Sequence, residues 1–203
     1  MFGFLKKGIT PLQIAAFLSK EPSKYISDID LVNNQFIENA PQFAFLKNKI
    51  IDEIQWIIIG SGVIAVHAIS GITIAKEVIK QIIVIHTSMT TGPKKQSLPP
   101  AEVAAIATRM DKYLTRFNRG VALRLESNHP RNLIFDDAIK DVANESMEFI
   151  TGTKRCQQVS IDNIDSLQER TVAEDELERY MFKVARQFIY QLKKHFKETK
   201  ISA

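Results

Sequence analysis

The chain has 203 residues, 45% hydrophobic and 25% charged, which places it among ordinary globular proteins able to bury one sizeable core. Its 27 basic and 23 acidic residues leave a net charge of +4, too balanced for a strongly basic nucleic-acid-binding domain. A single cysteine, Cys156, excludes an intrachain disulfide and points to a reducing compartment, and eight Gly with seven Pro are few for a turn-rich all-β fold.

The opening MFGFLKK places apolar residues before lysines, the reverse of a secretory signal, so the expected location is the cytoplasm. So short an apolar piece supports only weak, peripheral membrane contact. Thr10-Pro11-Leu12-Gln13 reads as a helix start, with Thr10 at the N-cap, Pro11 in the first turn and Gln13 completing a capping box. That helix runs to about Ser19 and is broken at Glu21-Pro22-Ser23. Asp28 is placed to cap a second helix whose apolar face is Ile29, Val32, Phe36 and Ile37, ending near Asn39.

From Pro41 the residues Phe43, Leu46, Ile50, Ile54 and Ile57 keep the helical period and lead into 54–75, a segment without Lys, Arg, Asp or Glu. It meets the length of about 20 apolar residues that a membrane span needs. Gln55, Gly60, Ser61, Gly62, His67, Ser70, Gly71 and Thr73 interrupt it, and Trp56 marks one end only. A buried central helix pair is therefore the expectation, with Ser61, Ala65 and Ala68 as a face of small residues. The alternative is a β-hairpin within 56–70, turning at Gly60-Ser61-Gly62, which would make the fold α+β. After Gly71, the positions Ile72, Ala75, Ile79, Ile82 and His86 form one face of a second apolar helix.

Residues 87–100 are polar and rich in Pro and Gly, and divide one helical domain, 1–203, into sub-halves 1–90 and 98–203. The helix from Pro100 turns Val103, Ile106, Met110, Leu114 and Phe117 inward, with Gly120 placed to end it and 121–125 as a short extended piece. Phe135, Ile139, Val142, Ser146 and Phe149 define the next helix, stopped by Gly152. One helical turn is expected within Ser160 to Leu167. The last helix opens on a Thr171/Glu174 capping box, with acids in its first turns and lysines in its last. Its inner face is Leu177, Met181, Val184, Phe188, Leu192 and Phe196. Helical spacing thus dominates, and the expected fold is an all-α, single-domain helical bundle.

Two charged ridges stand out. Arg109, Lys112, Arg116 and Arg119 recur at helical spacing, a candidate site for an anion or an acidic partner. Asp137, Asp141, Glu145 and Glu148 form the opposite pattern on the next helix, a candidate partner-binding surface. The ridges neutralise each other if the helices pack antiparallel with them face to face, and serve as docking surfaces if they point apart.

No catalytic constellation emerges. His67, His86, His129 and His195 lack metal-ligand spacing, so no metal is expected, and no phosphate loop or nucleophile elbow survives scrutiny, so no cofactor is expected either. Cys156, beside Lys154 and Arg155, reads as an incidental loop cysteine. The basic ridge lacks interleaved aromatics apart from Tyr113, which argues against nucleic acid. The function expected is a non-catalytic protein-interaction module, an adaptor, chaperone-like protein or complex subunit that binds another protein or itself. The alternatives are a membrane-associated protein using 1–7 or 54–75, and a helical ligand-binding protein or enzyme with a pocket near Trp56, His67 and His86.

Overall fold

A computed structural model describes residues 8–22, 26–39, 41–89, 99–127, 129–152 and 172–198. Helix α1 (Pro11–Lys20) begins as its sequence requires: the Gln13 amide donates to Thr10 Oγ1 at 3.3 Å, and the Thr10 amide donates to Gln13 Oε1 at 3.0 Å. Helix α2 (Ile26–Asn39) starts two residues before Asp28, which lies in its first turn rather than at its cap. A short 3-10 helix (Pro41–Leu46) then feeds α3 (Lys47–Met89).

Gly71 breaks α3 with φ 83 and ψ 175. Residues 56 and 86 would stand about 45 Å apart on a straight helix rising 1.5 Å per residue. Instead the Trp56 and His86 rings are 5.0 Å apart, so α3 folds back on itself as a first arm (47–70) and a second arm (72–89). These arms are the expected central pair, and the segment weighed as a β-hairpin, 56–70, is helical throughout. The reversal rests on backbone conformation: a Cβ at Gly71 would touch nothing within 4 Å, but φ near 83 with ψ near 180 is a region essentially reserved for glycine.

The other glycines of the first arm admit neighbours. A Cβ on Gly62 would fall 2.1 Å from Leu18 Cδ2, and one on Gly60 would fall 2.4 Å from Tyr113 Cδ2, so α1 and α4 approach the arm on these two turns. Of the small-residue face, Ser61 and Ala65 are buried and Ala68 is exposed.

Helix α4 (Pro100–Glu126) does not stop at Gly120; it continues six residues, and 121–125 is helical rather than extended. Packing explains this. A Cβ on Gly120 would lie 2.3 Å from Asp141 Oδ2 and 3.2 Å from Ala138 Cα, so the glycine lets α5 (Ile134–Thr151) press against α4 in mid-helix. Gly152 does end α5, in the left-handed conformation with φ 74. Helix α6 (Val172–Glu198) buries Leu177, Met181, Phe188, Leu192 and Phe196 as its period predicts. Thr171 of the expected capping box, the polar stretch 90–98, Cys156 and the turn expected within 160–167 lie outside the described residues.

The result is an all-α bundle, with no strand among the described residues. Side chains from α1, both arms of α3, α4, α5 and α6 join in one core, so residues of both sub-halves pack together. Within 44–87 one 18-residue helical window is apolar enough by length and composition to cross a membrane, and 56% of that window is buried within the bundle.

Candidate functional site

The charged ridges come together first. Helices α4 and α5 run antiparallel, and their contacts pair residues along the whole seam. Arg116 Nε lies 2.5 Å from Glu145 Oε2 and its Nη2 3.2 Å from Glu148 Oε1, while Lys112 Nζ lies 3.5 Å from Glu145 Oε1. Two turns further along α4, Arg124 grips Asp141 with both terminal nitrogens, at 2.5 and 3.1 Å. Hydrogen bonds to these acids hold the Arg116 and Arg124 guanidinium groups above their ordinary pKa. Asp137 is held below the usual carboxylate range by Lys140 at 2.7 Å and by His129 at 2.7 Å.

Of the two candidate surfaces, Arg116, Asp141, Glu145 and Glu148 are therefore occupied with one another or with neighbouring cations. Two members of the basic ridge lead elsewhere. Arg109 turns toward α3, donating to Asp52 Oδ2 at 2.9 Å with its guanidinium over the rings of Trp56 (5.6 Å) and Phe149 (5.0 Å). Arg119 points outward and is exposed.

Beneath Arg109 lies a buried polar group that sequence reading did not single out. Glu53 is 1% exposed; it accepts a hydrogen bond from the Tyr113 hydroxyl, which in turn accepts from Ser146 Oγ at 3.2 Å. Three helices are thereby tied at one point, α3, α4 and α5. Burial pushes the Glu53 carboxyl well above the usual range, Asp52 and Glu145 push the same way, and Arg109 Nε at 3.5 Å and Ser146 only partly oppose it. In the sequence Asp52 and Glu53 look alike, but Asp52 is exposed and accepts from Trp56 Nε1 at 3.0 Å.

That geometry has a sign. A carboxyl whose folded pKa is raised contributes stability fully present below its unfolded value, near 4.3, and lost as pH rises toward the folded pKa. Glu53→Gln is expected to abolish that loss, so the variant gains on the wild type from about pH 4.3 upward and the gap levels off above the folded pKa. Urea titrations across pH 4 to 9 measure it; a difference that ignores pH would mean that the carboxylate stays ionised beside Arg109.

The pocket expected near Trp56, His67 and His86 is only partly assembled. Trp56 and His86 meet across the two arms, with burial lowering the His86 pKa. His67 stands eleven residues from Trp56 on the same arm, about 16 Å along the axis, near the Gly71 turn. Among the described residues no three His, Cys, Asp or Glu side chains are grouped to hold a metal ion.

The other feature missed in the sequence is the outward face of α4. Ala101, Ala104, Ala105, Thr108, Thr115 and Ala122 are exposed there, with Asp111, Lys112, Arg119, Leu123 and Glu126 among them. The outward face of α6 instead carries Glu176, Arg179, Lys183, Arg186, Lys194 and Lys197. A helical period fitted to apolar residues finds inner faces and passes over a run of alanines and threonines on the outer one. No family model, curated protein or solved structure matches the chain.

Proposed function

We propose that the chain is a non-catalytic protein-interaction module that docks a helical partner on the outward face of α4. The observation that carries this reading is the contrast between two exposed helix faces: among the described residues α6 exposes no alanine or threonine, whereas α4 exposes six of them between Asp111, Lys112, Arg119 and Glu126. A face left in water ordinarily carries long charged side chains, which keep it soluble and discourage association. Alanine and threonine instead let a second helix approach to the short end of the usual 8–10 Å interaxial range. The mutual pairing of the α4 and α5 ridges supports the same surface, because it leaves this face, and not the seam, as the side of α4 open to a partner.

A photo-crosslinking residue at position 115, compared with one at position 183 on α6, tests the reading in an extract of the protein's own cell. Covalent adducts from position 115 and not from 183 are expected. No adduct from 115, or equal labelling from both, would overturn it.

A second reading, membrane association, is supported by the charge-free segment 54–75 and by Ile72, exposed at the turn between the arms. Lys76, Glu77 and Lys80 on the second arm weigh against insertion of the whole hairpin. Fractionation without detergent decides it, and release into the soluble fraction removes the integral version.

A further inference from the structure

We infer that Arg109 is a two-position latch shared by Asp52 and Glu53, and that ionisation of Glu53 as pH rises draws the guanidinium inward, away from Asp52 and across Trp56. The device is independent of the docking face on α4. Helical spacing assembles it. Asp52 and Trp56 stand one turn apart on the first arm of α3, and Arg109 and Tyr113 one turn apart on α4, so a cation and a hydroxyl meet two consecutive carboxyls.

The distances show which position is occupied. Arg109 Nη1 donates to the half-exposed Asp52 at 2.9 Å, whereas Nε stands 3.5 Å from Oε2 of the buried Glu53, and that oxygen makes no hydrogen bond among the described residues. An ionised Glu53 would be the stronger draw, because charge-assisted N–H···O bonds close to about 2.7–2.9 Å and attraction grows where water is excluded. A neutral carboxyl accounts for the gap. The Tyr113 hydroxyl accepts from Ser146 Oγ and gives its own proton to Glu53 Oε1, which leaves the carboxyl proton on Oε2. Two donors then face each other across the 3.5 Å, and Arg109 turns to Asp52 instead. The titratable and charged groups around Glu53 are Asp52 on its own helix, Arg109 and Tyr113 on α4, and Glu145 on α5. Burial, Asp52 and Glu145 favour its neutral form, and Arg109 favours the anion.

Loss of the proton turns Oε2 into an acceptor, and Arg109 closes on it. Asp52 is then left with an uncompensated charge at the surface, and the guanidinium shifts against the rings of Trp56 and Phe149, now 5.6 and 5.0 Å from it. Trp56 is the single tryptophan of the chain, so intrinsic fluorescence reads the movement.

The test compares fluorescence of the full-length wild type and Glu53→Gln between pH 4 and 9, with circular dichroism marking the interval in which both are folded. His86, 5.0 Å from Trp56, is present in both chains and cancels in the difference. That difference is expected to show one transition above about pH 4.3. Measured again in an Asp52→Asn background, where Arg109 is released and a neighbouring negative charge is gone, the midpoint is expected to fall by about one pH unit or more. In an Arg109→Gln background the transition is expected to lose most of its amplitude. A wild type and Glu53→Gln that do not diverge with pH, or a transition unmoved by Asp52→Asn, would overturn the inference, as would undiminished amplitude without Arg109. Asp52 is exposed, so its replacement keeps the test decisive even where Arg109→Gln does not fold.

Discussion

Arg116→Ala is expected to cost about 3–5 kcal/mol of unfolding free energy, the range for removing one partner of a buried charge pair. Arg119→Ala, three residues further along the same ridge, is expected to stay within about 0.5 kcal/mol. The difference lies in what each guanidinium leaves behind. Glu145 is 4% exposed, and Arg116 gives it a 2.5 Å bond as well as reaching Glu148 at 3.2 Å. With Arg116 gone, the remaining cation paired with Glu145 among the described residues is Lys112, half in solvent and 3.5 Å away, too distant and too hydrated to replace a hydrogen-bonded guanidinium. The exposed Arg119 leaves nothing buried behind it. Urea denaturation of both variants beside the wild type measures the contrast. Equal costs would show that the seam between α4 and α5 adds no more than an ordinary surface ion pair, about 0–1 kcal/mol.

Tyr113→Ala is the second large loss, about 3–5 kcal/mol for deleting a buried aromatic side chain. The ring is fully buried, packs edge-to-face with Phe149 at a centroid distance of 6.0 Å, and lies against Gly60 so closely that a Cβ there would sit 2.4 Å from it. Gly60 has no side chain to move into the space, so the cavity stays open. The truncation also strips Glu53 and Ser146 of their common partner. Tyr113→Phe separates the two contributions: it keeps the ring and removes the hydroxyl, and is expected to cost about 1–3 kcal/mol, the penalty of leaving a buried polar group unsatisfied. Thermal and urea unfolding of the pair check it. If Tyr113→Phe proved neutral, the hydroxyl would contribute nothing to holding α3, α4 and α5 at this point.

Much of the architecture is local chemistry and could be read from the chain alone. Thr10 and Gln13 close a capping box with atoms three residues apart, Gly152 ends α5 because its backbone alone enters the left-handed region, and Leu177, Met181, Phe188, Leu192 and Phe196 mark an inner face by spacing. These features determine that the protein is helical and where most helices begin or end. Their causes lie within one or two turns of backbone.

What only the tertiary structure decided involves groups distant in the chain. Gly71 reverses α3 whereas Gly120 is carried through α4, and nothing beside either glycine in the sequence distinguishes the two; the second is settled by Ala138 and Asp141 pressing on it from α5. Asp52 and Glu53 are neighbours with the same charge, and it is Tyr113 and Ser146, sixty residues and more away, that receive one of them into the interior. The ridges on α4 and α5 were legible as ridges, but whether they meet or diverge depends on how far each helix is rotated about its own axis. That rotation is set by the summed packing of buried side chains from several elements at once, which no window of sequence contains.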